Sequence, residues 1–186
     1  MYRNTFLSVM FLACCFNGSL CAQSDAQIYE RTCDAKTYPF SDPSPVATPN
    51  NSYYPYFRFD GFSMQAQEKQ WKMVVLENDY VKLTVTPEIG GKIWGAIDKV
   101  NNKEFVYTNG VVKFRDVAMR GPWTSGGIEF NFGIIGHAPT CSTPIDYLTK
   151  KNVDGSVSCH IFSYEWITRT VWNVEISLPK DKAYFT

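Results

Sequence analysis

The chain lacks any excess of charge. Its 18 basic and 18 acidic residues cancel across 186 positions, and no run of like charge occurs. Nucleic-acid and polyanion partners leave a basic patch, so that class of function is excluded. Histidine is scarce, at two residues, and no CxxC pair exists to complete a zinc-ligand spacing. P-loop, GxSxG and HExxH patterns are missing. Gly90-Gly91 does not open a helix, so it is no phosphate cradle. Neither a metal nor another cofactor is expected. The longest apolar run, Thr5 to Phe16, falls short of the roughly 18–20 residues of a membrane span.

That run has another use. Arg3 supplies a positive start, and small residues near Ser19 to Ala22 suit signal peptidase, so residues 1–22 read as a secretory leader. The rival is a lipoprotein anchored through Cys14, Cys15 or Cys21. The first two come too early, and Leu20 before Cys21 is not small. The expectation is an exported protein, periplasmic or extracellular. Cleavage leaves roughly 164 residues, enough for one domain with its own core. Cys33, Cys141 and Cys159 remain, an odd number that permits at most one disulfide. Their simpler reading is as buried thiols acting as small hydrophobes.

Residues 23–70 are polar and Pro-rich, an extended lead-in that wraps the domain. From Trp71 the pattern turns to β. Val81, Leu83 and Val85 alternate with Lys82, Thr84 and Thr86. Pro87, Gly90 and Gly91 punctuate a turn. Ile93, Gly95 and Ile97 continue beyond it, and Glu104 to Tyr107 follow the Asn101-Asn102 turn. Asp154-Gly155 marks a hairpin. Val157, Cys159 and Ile161 share one face of the next strand, with His160 opposite. Trp172, Val174, Ile176 and Leu178 alternate along the last long strand. Pro179 to Lys182 read as a turn, and Ala183 to Thr186 open another strand. No helix-length apolar periodicity follows the leader. The class is all-β, a sandwich of antiparallel sheets.

The candidate site is the stretch from Arg115 to Tyr147, long for a connector and rich in glycine and mixed polar groups. Glu129 and His137 form its best acid–base pair, since a carboxylate and an imidazole exchange protons near neutral pH. The plainer alternative puts Glu129 in a surface ion pair and His137 on backbone. Gly126, Gly127, Gly133 and Gly136 favour close approach of a ligand. Arg115, Asp116 and Arg120 suit hydroxyl or carboxylate groups, or pair with one another. Trp123 offers a face to a sugar ring, or else belongs to the core. Asn131 and Asp146 complete the polar set.

Two segments carry a resemblance. LENDYVKLTVTPEIGGKIWGAIDKVNNKEFVY, Leu76 to Tyr107, resembles the opening strands of galactose-mutarotase-like (aldose 1-epimerase-like) domains. RGPWTSGGIEFNFGIIGHAPT resembles one bacterial branch, a domain of unknown function often followed by tetratricopeptide repeats and encoded among carbohydrate-degradation genes. YPFSDPSPV and YPYFRFDGF also look like that branch. The resemblance implies a β-supersandwich with a mono- or oligosaccharide in a cleft on one sheet. It also implies a longer domain, of which residues 71–186 are the N-terminal part, with further strands or tetratricopeptide repeats as a continuation. The glutamate base of the known epimerases lies later than this chain reaches. Glu129 is therefore not that base by motif, and His137 matches the acid only by position.

Three functional expectations follow. One is an exported enzyme acting on sugars, an epimerase or glycoside-processing relative, in which Glu129 and His137 exchange protons. In that reading Arg120 and Trp123 position the ring, and Asp116 or Asp146 supplies any second carboxylate. Another is a non-catalytic carbohydrate-binding module using the same contacts. The third is an inactive fragment of a larger enzyme.

Overall fold

A computed structural model describes residues 24–39, 63–116, 122–133 and 137–186. Among the described residues ten strands follow in chain order: β1 Gln27–Tyr38, β2 Gln67–Glu77, β3 Val81–Thr86, β4 Lys92–Asp98, β5 Lys103–Val106, β6 Val112–Asp116, β7 Pro122–Thr124, β8 Asp146–Lys151, β9 Val157–Glu165 and β10 Thr170–Leu178. Two single 3₁₀ turns, Pro87–Ile89 and Pro139–Cys141, are the helical elements among the described residues. The all-β expectation holds.

Seven strands form one curled sheet in the order β5-β4-β3-β2-β1-β6-β7, and β10-β9-β8 form a second sheet. All neighbours run antiparallel except β1 and β6, which pair in parallel at Thr37–Val112 and Tyr38–Lys113. β1 lies inside the segment read from sequence as a lead-in. It pairs along its length with β2, from Gln27–Glu77 to Thr37–Gln67. The lead-in residues 40–62, including most of YPFSDPSPV and YPYFRFDGF, lie outside the described residues.

Period-2 alternation decides where the core sits. Val74 and Leu76 of β2, Leu83 and Val85 of β3, and Ile93 and Ala96 of β4 turn toward the second sheet. There they meet Val157, Cys159 and Ile161 of β9 and Trp172, Ile176 and Leu178 of β10. The opposite face of the large sheet carries a second cluster of Trp71, Met73, Ile89, Trp94, Val112 and Phe114. β2 is therefore buried on both faces over Met73–Leu76. Gly155 ends the β8–β9 hairpin turn with φ of 82°, as its Asp-Gly signal required.

One alternation fails in an informative way. Ile93, Gly95 and Ile97 are spaced to share a face, yet the β3–β4 register shifts between Thr84–Gly95 and Val85–Ile93. Trp94 is the extra residue of this bulge, and the bulge resets the phase of the strand. Ile93 and Ala96 consequently face the core, while Trp94 faces away with Gly95 and Ile97 beside it. The chain's last residue is also paired. Thr186 exchanges two backbone hydrogen bonds with Ser177 of β10, at 2.7 and 2.9 Å.

Candidate functional site

The site begins where β4 leaves its turn. Gly90 and Gly91 take φ of 64° and 67°, which L-residues with side chains rarely adopt. A Cβ on Gly90 would collide with the carbonyl of Cys141, so this turn and the later loop touch through backbone alone. Lys92, the next residue, is 1% exposed. A buried ammonium needs partners, and Lys92 Nζ donates to the Thr124 carbonyl at 2.7 Å and to Thr124 Oγ1 at 3.0 Å. It also lies 5.9 Å from the centre of the Trp94 ring. Burial pulls the Lys92 amine below its ordinary range, opposed by the nearby Glu129 carboxylate.

Glu129 reaches this place through an isolated strand pairing. Ile93 N–H donates to the Ile128 carbonyl at 3.1 Å, and Ile128 N–H returns a bond to Ile93 at 2.8 Å. A Cβ at Gly127, where φ is 70°, would strike the Ile93 carbonyl oxygen, so only glycine permits that approach. Alternation then divides the segment. Phe130 and Phe132 pack on the core between the sheets, and Glu129 projects the other way, toward Lys92.

There Glu129 meets His137. Oε1 lies 2.6 Å from His137 Nδ1, with side-chain exposures of 14% and 25%. The eight-residue spacing did not force this meeting; the Ile93–Ile128 pairing and the turn at Gly133, φ 99°, bring it about. The Trp123 ring stacks on His137 with centroids 5.9 Å apart and planes at 28°. Beneath the pair sits Cys141, whose thiol contacts the Phe130 carbonyl at 3.4 Å and Asn131 Oδ1 at 3.3 Å. Burial pushes that thiol far up, and Glu129 adds to the shift.

The remaining predicted residues divide plainly. Asn131 Oδ1 accepts from Ala138 N–H at 3.4 Å as well as from Cys141, so it braces the loop. Arg115 stands opposite Trp123 in the β6–β7 ladder. Its guanidinium donates to the Phe114 carbonyl at 2.7 Å and reaches Met64 Sδ at 3.8 Å. Asp116 ends β6 opposite Pro122. Arg120 lies outside the described residues. Asp146 opens β8 with an exposed side chain and makes none of the contacts of the Glu129–His137 pair. Sequence reasoning missed Lys92, which its strand pattern hid among lysines that face solvent, and Cys141 as a neighbour of Glu129.

Three buried polar atoms at this place have no hydrogen-bond partner among the described residues: Trp123 Nε1, Thr140 Oγ1 and Ser142 Oγ. Buried donors are seldom left so. Among the described residues no three His, Cys, Asp or Glu side chains gather as a metal site, and no helix is long and apolar enough to cross a membrane.

Comparison with known families matches residues 48–186 to the domain of unknown function DUF5107. The chain belongs to this family. DUF5107 covers β2 to β10 and every residue of the Glu129–His137 centre. Among solved structures, the chain resembles a TPR-domain containing protein from Parabacteroides distasonis ATCC 8503, at 27% identity and a TM-score of 0.77. The similarity takes in 86% of this chain and 28% of that one, so the chain spans under a third of its neighbour's length.

Proposed function

We propose that this DUF5107 chain is an exported, carbohydrate-binding, mutarotase-like domain whose Glu129–His137 pair exchanges protons with a sugar. The 2.6 Å contact between Glu129 Oε1 and His137 Nδ1 carries the reading. With Nδ1–H donated to the carboxylate, Nε2 is left with its lone pair as a base. Glu129 then orients the ring and stabilises the imidazolium that forms, rather than taking the substrate proton itself. In epimerisation His137 Nε2 takes the proton of the anomeric hydroxyl and delivers it to the ring oxygen as the C1–ring-oxygen bond breaks, opening the sugar to its aldehyde, which recloses from the other face by the reverse transfer. In glycoside processing it takes the proton of a water that adds at C1 and passes it to the leaving oxygen. Trp123, held against His137, offers the apolar edge of a sugar a surface beside the base.

Support also comes from the two sequence segments that resemble galactose-mutarotase-like domains and from the sandwich architecture. The leader-like N-terminus supports export to the periplasm or beyond. The tetratricopeptide-containing neighbour fits an association of this domain with such repeats. Arg120, Asp116, Arg115 and Asp146 stay in the proposal as ligand contacts.

The test is a mutarotation and hydrolysis screen over common sugars with the intact chain and with Glu129→Gln and His137→Ala. Turnover that falls about a hundredfold or more in His137→Ala is the expected result. Sugar binding without turnover of any sugar removes the enzyme reading and leaves a carbohydrate-binding module.

A further inference from the structure

The face of the large sheet that carries Trp94 holds a groove of about 360 Å³. That falls within the roughly 300–1,000 Å³ of small-molecule sites. Its floor is Ala35, Met73 and Trp94, one residue each from β1, β2 and β4. Its rim is polar, with Arg31, Asp34 and Lys82 on β1 and β3 and Glu104 on β5. Lys82 shares Glu77 with Lys99, at 3.6 and 2.8 Å. Arg31, Asp34 and Glu104 have no ion pair among the described residues, and with Lys82 they give the lining two cations and two anions, a balanced charge. An apolar, partly aromatic floor under a neutral rim of donors and acceptors suits a ligand with ring faces and many hydroxyls.

Two features join this groove to the Glu129–His137 centre. Trp94 is shared, lining the groove while Lys92 Nζ stands over its ring at 5.9 Å. The far bank, Thr108 to Gly110, is fastened to the Glu129 segment. Asn109 Nδ2 donates to Ser125 Oγ at 2.9 Å, and Gly127 N–H donates to the Tyr107 carbonyl at 2.8 Å. Gly95 makes room for this bank, since a Cβ there would collide with the Thr108 hydroxyl.

We infer that the groove between β1 and the Thr108–Gly110 bank is a second subsite, so that the ligand is a neutral oligosaccharide reaching from the Glu129–His137 centre across Trp94. The inference rests on the sugar reading of that centre. Arg31 and Glu104 are its specificity residues, bonding hydroxyls of the distal sugar.

Calorimetry with the full chain tests it, comparing glucose, xylose and mannose with cellohexaose, xylohexaose and mannohexaose. The expected result is one hexasaccharide binding at least about tenfold tighter than its monosaccharide. The exposed-site double variant Arg31→Ala/Glu104→Ala should lose that gain and keep monosaccharide affinity. A hexasaccharide no tighter than its monosaccharide, or a gain that survives in the double variant, overturns the subsite. Preference for hexagalacturonate over every neutral chain overturns its neutrality. If no sugar of any length binds, the sugar reading of the centre fails along with the groove. Monosaccharide binding without a chain-length gain removes the groove alone.

Discussion

Trp123 stacks on His137, 5.9 Å between ring centres, while its own indole N–H is buried without a partner among the described residues. The indole thus braces the imidazole plane by stacking, alongside the Glu129 bond. An aromatic pair of this kind contributes about 0.5–1.5 kcal/mol beyond area burial. Trp123→Phe should keep the stack and most sugar binding. Trp123→Ala should leave the His137 ring held by Glu129 alone and weaken binding about tenfold or more with the fold intact, as read by calorimetry and circular dichroism. Equal affinity in both variants would remove Trp123 from the site.

Gly127 is the backbone gate for Glu129. Gly127→Ala places a methyl against the Ile93 carbonyl at a φ unsuited to side chains. A loss of about 1–3 kcal/mol is expected in urea denaturation. Amide protection at Ile93 and Ile128 should fall first, because their two mutual bonds are the ones displaced. Unchanged exchange at both amides would contradict the geometry.

Lys92 links stability to pH with a definite sign. Burial lowers its folded-state value below the ordinary 10.5. Between the folded and unfolded values the unfolded chain holds the extra proton, so stability rises with pH across that window. Below it the cost of burying the ammonium is present in full. Lys92→Met removes this dependence but leaves both Thr124 oxygens without their donor, a loss of about 1–3 kcal/mol. The difference between wild type and variant should therefore grow as pH climbs toward 10.5, measured by urea midpoints. Parallel pH profiles for the two proteins would sink the assignment.

Cys33, Cys141 and Cys159 are free thiols, the last two buried. Burial raises Cys159 to about 12 and Cys141 further, so neither offers a thiolate near neutral pH. Of these three, iodoacetamide should label Cys33 alone in the folded protein and all of them after unfolding. Since Cys33 lines the groove, a bound hexasaccharide should slow that labelling. Prompt modification of Cys141 in folded protein would show its packing to be wrong.

Much of the fold was legible from alternation alone. β3, β9 and β10 bury one face each, and their apolar residues recur every second position. β1 escaped because centrality in hydrogen bonding is not burial. Glu30, Arg31, Asp34 and Lys36 sit on exposed stretches of both faces, so the strand has no hydrophobic period to read. The phase reset at Trp94 was equally hidden, since a bulge leaves no compositional mark when the extra residue is itself apolar. Within the site, the residue types of Glu129, His137 and Trp123 marked them, while their convergence needed a strand pairing that only three dimensions reveal. Lys92 offered no signal, because a lysine reads as solvent-facing until its partners are seen.

The loop that carries the site is held to the sheet by a particular kind of bond. The Ile93–Ile128 pair, Gly127 to Tyr107, Gly90 to Thr143 and Ile145 to Pro87 all join backbone to backbone. Such fastenings do not depend on which side chains the loop presents. Glutamate, histidine and tryptophan can therefore be exchanged for other chemistries while the loop stays docked, provided Gly90 and Gly127 are kept. The architecture separates what is held from what is displayed, and so makes this sandwich a natural host for grafted recognition sites.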